Sequence, residues 1–290
     1  MKLILKFNLV FIAIFLIGLG AAGYISNQLL QQNAREEILQ NARLVMETAL
    51  ATRAYTSGQV RPLLETQMKY SFLPQSVPSY SAHEVLNGLR KKFPDYAYKE
   101  ATLNPTNPRD RAVDWEADIV NKFRASPDQG ELVGERDAPT GRSLYIARPL
   151  QIKDPACLPC HSTVEAAPKT MVDRYGPANG FGWQLNEVVG AQVVSVPTDV
   201  PIARATAAYR TFMTSLTAVF VLIGIALNLM LLAMVIRPVA KLSKLADQVS
   251  LGNMDVADFH VRSKDEIGVL ADSFNRMKKS LVQAMKMLEE

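Results

Sequence analysis

The stretch TFMTSLTAVFVLIGIALNLMLLAMVI, Thr211–Ile236, contains no charged residue. A helix crosses the ~30 Å hydrocarbon core of a bilayer with roughly 20 residues. Backbone polar groups in lipid must pair within the segment, so this run predicts a transmembrane helix. A second run precedes it. Phe7–Ala34 is also free of charge and includes LVFIAIFLIGLGAAG. That is longer than the roughly 7–15 apolar residues of a signal peptide, so it reads as an anchor, although GLGAAG offers small residues for cleavage. Basic residues prefer the cytoplasmic side. Lys2 and Lys6 precede the first run, and Arg237, Lys241 and Lys244 follow the second. The expected order is a cytoplasmic N-terminus (1–6), a first span (7–30), an extracytoplasmic domain (31–210), a second span (211–236) and a cytoplasmic tail (237–290). In a bacterium this is a two-pass protein of the inner membrane. Its large domain lies in the periplasm or outside, an oxidising compartment.

Charge excludes one class. The chain has 32 basic and 28 acidic residues, a formal net charge of +4. Neither the domain between the spans nor the tail is one-sidedly basic, as a nucleic-acid binder usually is. The expected surroundings are membrane lipid and protein, with no nucleic acid.

The tail carries a 3.5-residue apolar repeat. Val235, Pro238, Leu242, Leu245 and Val249 alternate by three and four, as do Ile267, Leu270, Phe274, Met277, Leu281, Ala284 and Leu288. Such a repeat buries a narrow seam against partner helices. Between them lies SLGNMDVADFHVRSK, with Gly252 as a turn signal and Met254, Val256, Phe259 and Val261 as apolar pegs. Two short helices make no core alone, so a parallel four-helix bundle from two chains is expected. Pro238, Gly252 and DEIGVLADSFNRM (Asp265–Met277) resemble the HAMP domain of bacterial transmembrane receptors. The resemblance implies a homodimer, through this bundle and the membrane-proximal helix, that relays motion to an output module. The chain stops 13 residues after that motif, so the output is expected in a separate cytoplasmic signalling partner or in a longer receptor.

Between the spans, helix is expected from residue 31 to 56, with Leu39, Ala42, Met46 and Ala49 forming a core or dimer seam. A second helix is expected at Ser81–Lys92, with Ser81 and Glu84 as a capping box, and a third at Asp110–Phe123. Strands are expected at Tyr96–Leu103, Glu131–Arg136, Ser143–Leu150 and Val188–Val196, with turns at NPTNPRD and at Pro139–Gly141. The fold class is α+β, a PAS-like α/β sensor domain hung between two transmembrane helices and followed by a HAMP coiled coil.

CLPCH, Cys157–His161, holds the only two cysteines of the chain. C-x-x-C-H is the attachment sequence of c-type haem. Two thiols add to the two vinyl groups of the porphyrin, and the following imidazole lies beneath the iron. A thioredoxin-like redox pair also has C-x-x-C, and Pro159 fits it, but it leaves the histidine unexplained. A structural zinc site needs a fourth ligand and usually a second cysteine pair.

Haem also needs an apolar pocket and partners for its propionates. Phe181 and Trp183 of NGFGW supply flat surfaces, and Arg53, Arg61, Arg148 and Arg174 supply cations. VRPLL with its upstream RAYTSGQ, VPSYSA, DYAYKEATLNPTNPRDRAVDWE, CLPCH and YGPANGFGW together resemble a family of membrane-anchored, single-haem, PAS-like sensor domains. The resemblance spans about Asn41–Pro197. It implies one haem c on Cys157 and Cys160, with His161 as proximal iron ligand. One form of that family uses a further cysteine as sixth ligand, which this chain lacks. The distal candidates are Met46, His83, Met68, Met171 or water.

Two functions follow. In the first, the haem changes redox state or binds a small gas, and the change passes through the second span to HAMP. The chain is then a sensor and not an enzyme. In the second, it is a membrane-anchored monohaem cytochrome for electron transfer, which gives the HAMP-like tail no task.

Overall fold

A computed structural model describes residues 3–126, 128–138, 141–261 and 264–289. Lys2 and the Pro139–Thr140 turn lie outside the described residues. The chain divides into two units, Asn27–Ala208 on one side and Met1–Ser26 with Tyr209–Glu290 on the other.

Helix α1 (Leu3–Tyr55), which belongs to the first unit from Asn27 on, passes through a π-helical turn, Thr56–Val60, into α2 (Arg61–Met68). Pro62 directly follows the π-turn, where its missing N–H breaks the regular hydrogen-bond ladder of the continuing helix. The helix nonetheless outlasts the expected end at residue 56. Ile38, Ala42, Met46 and Ala49 are all buried. They pack on the sheet of their own chain, and the expected Leu39 lies partly buried against the same cluster, so Ala42, Met46 and Ala49 serve the core.

Four antiparallel strands follow the expected pattern: β1 (Ala97–Thr102), β2 (Leu132–Ala138), β3 (Gly141–Gln151) and β4 (Val188–Pro197). Their spatial order is β1-β4-β3-β2. β4 pairs with β1 from Ala97↔Ser195 to Thr102↔Gly190, and with β3 from Ser143↔Pro197 onward. Because β4 is central and covered on both faces, it reads as a nearly unbroken apolar run. On one face α1 and α3 (Pro78–Arg90) cover Leu144, Ile146, Val194 and Val196. On the other, Ile119, Val120 and Phe123 of α4 (Asp114–Ala125) cover Ala147, Ala191 and Val193. Each fully buried Val, Leu, Ile or Phe among them adds about 1.5–3 kcal/mol.

Two helix starts differ from expectation. α3 begins at Pro78 after the extended Val77, because proline at the first helical position presets φ. Ser81 lies inside the helix and donates to the Gln75 carbonyl (3.1 Å). α4 begins at Asp114, after a short 3-10 turn at Pro108–Asp110, and the Glu116 carboxylate accepts the Val113 N–H (3.0 Å). The remaining short helices, α5 (Leu158–His161) and α6 (Lys169–Tyr175), flank the site described below.

Helix α7 (Asp199–Leu231), which belongs to the second unit from Tyr209 on, runs through a π-turn, Leu232–Ile236, into α8 (Arg237–Ser250). Among the described residues, two helices are long and apolar enough to cross a membrane. Within this unit Asn8 and Asn228 exchange two amide hydrogen bonds, each 2.8 Å, and Phe15 packs on Phe220 at 4.6 Å. α9 (Glu266–Glu289) returns beside α8. Leu242, Val249, Val256, Phe259, Ala271 and Phe274 form one cluster, so the expected connector pegs Val256 and Phe259 are buried. Asn275 brackets Phe259, accepting its N–H and donating to its carbonyl.

Candidate functional site

Asp154 starts the local structure. Its carboxylate accepts the Ala156 N–H (2.8 Å) and its carbonyl accepts the Cys157 N–H (3.1 Å). A 3-10 turn, Pro155–Cys157, then leads into α5. Positions three and four apart share one helix face. Cys157, Cys160 and His161 therefore point the same way, and all three line one cavity of about 470 Å³. That volume lies within the ~300–1,000 Å³ of ligand sites.

His161 is held on two sides. Its Nδ1 lies 2.7 Å from the Gly180 carbonyl. Its ring stacks on the Trp183 indole at 4.0 Å and 12°. The main chain closes the same loop, with Gly182 N–H donating to Ser162 and Trp183 N–H to His161 itself. Nδ1 is committed to a carbonyl, so Nε2 is the ring nitrogen left for chemistry. Burial pushes the imidazole pKa down, against the Gly180 carbonyl, which favours the charged form. Burial raises both thiols, and the nearby Arg61 guanidinium opposes this at each.

The opposite walls mix apolar and charged groups. Phe72 and Tyr175 meet edge to face at 5.7 Å. Met68 and the buried Met171 bring thioethers to the cavity. Arg53 of α1 reaches it paired to Glu100 of β1, with nitrogen–oxygen distances of 2.6 and 2.5 Å. Glu100 is only 2% exposed, and Tyr98 donates to it at 2.7 Å. Burial works against the Arg53 charge, yet Glu100 and Tyr98 hold its pKa above the ordinary value. Arg61 also lines the cavity and has no carboxylate within ion-pair distance among the described residues. Two thiols, a fixed imidazole, aromatic walls and a spare guanidinium suit a flat apolar group that carries carboxylates. Among the described residues no cluster of three or more histidine, cysteine or acidic side chains could hold a bare metal ion.

A family model described as Tll0287-like matches residues 31–197, more than half of the chain. The chain belongs to the Tll0287-like family. Every cavity residue named above falls within the Tll0287-like segment. A second model, the HAMP domain, matches residues 230–283, so α8, its connector and α9 form a HAMP domain. No curated protein matches the chain. Among solved structures, the crystal structure of the cyanobacterial haem protein Tll0287 is similar at 14% identity and a TM-score of 0.44, covering 56% of this chain and 95% of that one.

Within the Tll0287-like domain the expected site residues divide. Cys157, Cys160, His161, Arg53 and Trp183 line the cavity together. Met46 does not: it is fully buried in the core between α1 and the sheet. Nor does His83, whose Nδ1 faces the Ser79 carbonyl (2.9 Å) and whose Nε2 faces Asp110 (3.2 Å). Both expectations of a distal ligand at these positions are therefore corrected. Their apolar spacing and ring chemistry suited ligation, but packing gives each another partner. Of the weighed thioethers, Met68 and Met171 line the cavity. Phe181 does not line the cavity; its carbonyl accepts from Asn104 (3.2 Å), and Arg148 pairs with Glu47 and Glu131 instead. Sequence reasoning missed Glu100, Asp110 and Thr106. Glu100 lies in the half-polar strand AYKEAT and Thr106 and Asp110 in the polar turn NPTNPRD, where such residues are ordinary and carry no signal.

Proposed function

We propose that the chain is a membrane-bound haem sensor, with one haem c attached to Cys157 and Cys160 and His161 as its proximal ligand. One observation carries the reading: both thiols and an imidazole fixed by Gly180 and Trp183 share one wall of a single cavity. Family membership supports it, since the protein that gives the family its description is a haem protein. The bound haem supplies an iron that changes redox state or takes a small gas. The residues of the chain do the rest. His161 presents Nε2, Gly180 and Trp183 keep its ring from turning, and Phe72 and Tyr175 exclude water. Arg61 is the propionate partner, because Arg53 is already engaged by Glu100. Met68 and Met171 are the distal candidates.

The domain lies outside the cytoplasm, in the periplasm of a two-pass inner-membrane protein, with HAMP inside. β4 leads directly into α7, the second apolar helix, and α7 leads into HAMP. A change at the haem biases HAMP between two packings, and a cytoplasmic partner reads the result. HAMP is the homodimer contact. Leu270, Met277 and Leu281 of α9 are each at least 40% exposed, a seam left for the second copy. The chain itself is not an enzyme.

Disulfide crosslinking of Leu270→Cys between copies, in membranes, tests the relay. The yield should differ between oxidised and reduced haem. Equal yields in both states would favour an electron carrier.

A further inference from the structure

His83 and Asp110 form a buried pair between two cavities. Asp110 lines the cavity of Cys157 and His161. His83 and Asp110 both line a second, smaller cavity of about 310 Å³ that also reaches the exposed Asn87 and Arg90. The residues are 6% and 8% exposed. His83 Nδ1 faces the Ser79 carbonyl, so it carries the ring hydrogen of the neutral imidazole. Nε2, left as an acceptor, then lies 3.2 Å from Asp110 Oδ1. Neither atom makes a well-directed hydrogen bond among the described residues. A proton shared between the two buried acceptors removes their repulsion, since without it that carboxylate oxygen has, among the described residues, only the Arg109 guanidinium, 3.5 Å away, to offset its burial. With that proton the pair is neutral; without it the pair carries one negative charge.

We propose that this pair takes up one proton from the solvent-side cavity as one electron enters the haem cavity, so that the sensed event is a coupled proton and electron. The inference rests on the haem reading above. An electron from any one-electron donor adds negative charge beside Asp110 and raises the cost of the deprotonated pair. The proton is then held more tightly in the reduced state. Charge and atoms balance: one electron and one proton enter, and no bond in the chain breaks.

The surroundings fit a group that titrates. Arg109 on the same turn lies 3.5 Å from Asp110, and Lys99 on β1 also favours its charged form, while Glu100 on β1 opposes it. Burial raises the Asp110 carboxyl above its ordinary range. Tyr98 packs against the His83 ring at 5.3 Å and donates its own proton to Glu100. Glu100 is neutralised by Arg53, so the His83–Asp110 pair is the loosely tied one. The second cavity supplies the route, since a buried pair with no path to water exchanges protons slowly.

The test is a potentiometric titration of the full chain in detergent across about pH 5–8, the range in which histidine titrates. The potential of the wild type should fall with pH, approaching about 59 mV per pH unit, the tenfold constant for one electron. Asp110→Asn and His83→Gln should each flatten that slope while the haem spectrum stays unchanged. Either variant suffices if the other does not fold. A flat wild-type profile, or a slope that persists in the folded variants because the haem propionates supply it, overturns the proposal. A full chain without covalent haem instead defeats the haem reading itself.

Discussion

The carbonyl oxygen of Gly180 lies 2.7 Å from Nδ1 of His161. That contact depends on a residue without a side chain. Gly180 has φ +85°, and a Cβ there would meet Thr106 Oγ1 at 2.0 Å and the Thr106 Cα at 2.8 Å. Left-handed backbone costs other residues roughly 1–2 kcal/mol, and the contact to the Thr106 backbone would force a further shift. Gly180→Ala should lower stability by at least that amount and release the His161 ring. Denaturant unfolding measures the first effect, and a shifted haem absorption spectrum reports the second.

Arg53 and Glu100 should show the asymmetry of a buried ion pair. Removing one partner strands the other charge and costs about 3–5 kcal/mol, whereas replacing both by apolar groups is far milder. Arg53→Met strands a carboxylate that is 2% exposed. It should destabilise the domain more than the double variant Arg53→Met with Glu100→Leu does. Urea midpoints of the three chains in detergent check the order; additive losses would show that the pair does not act as one unit.

Glu131 ties α1 to the sheet and sets an acid limit. Burial alone raises its carboxyl, but hydrogen bonds from Arg43 (2.9 Å) and Arg148 (3.1 Å) outweigh burial and hold it below its ordinary 4.5. A depressed carboxylate gives stability that is present above its unfolded pKa and lost as pH falls through the folded value. Wild type should therefore lose stability below about pH 4.5 faster than Arg43→Ala. The gap between the two midpoints, measured against pH, should close in acid.

Asn8 and Asn228 should hold the two apolar helices in register. Hydrogen bonds between membrane helices are worth about 0.6 kcal/mol on average and up to ~1.7. The reciprocal amide pair gives two of them. Asn228→Leu should lower the thermal midpoint in detergent, and Asn8→Leu added to it should cost little more. Full additivity in that double-mutant cycle would mean that the two amides do not interact.

Much of this was legible in the sequence, for physical reasons. All four strands were read from alternation and turn residues, and both apolar helices from their lack of charge. CLPCH stands out by its spacing and by holding the only two cysteines, and the structure adds that its two thiols and its imidazole line one cavity. Met46 and His83 show the limit. A methionine at helical spacing serves a core or an iron equally well, and only the sheet packed against α1 decides. His83 looked free because Asp110 is 27 residues away in the chain and reaches it only through the turn at Pro108–Asp110. Arg53 was read as a propionate partner; Glu100, on a strand in the middle of the domain, claims it first.

The central claim is that Cys157 and Cys160 carry a haem beneath which His161 binds. Acid–acetone extraction of the purified full chain tests it most directly. The colour should stay with the polypeptide in the wild type, and Cys157→Ala with Cys160→Ala should release it to the organic phase. Wild-type protein that gives up its colour to the solvent, or has none, would contradict the claim.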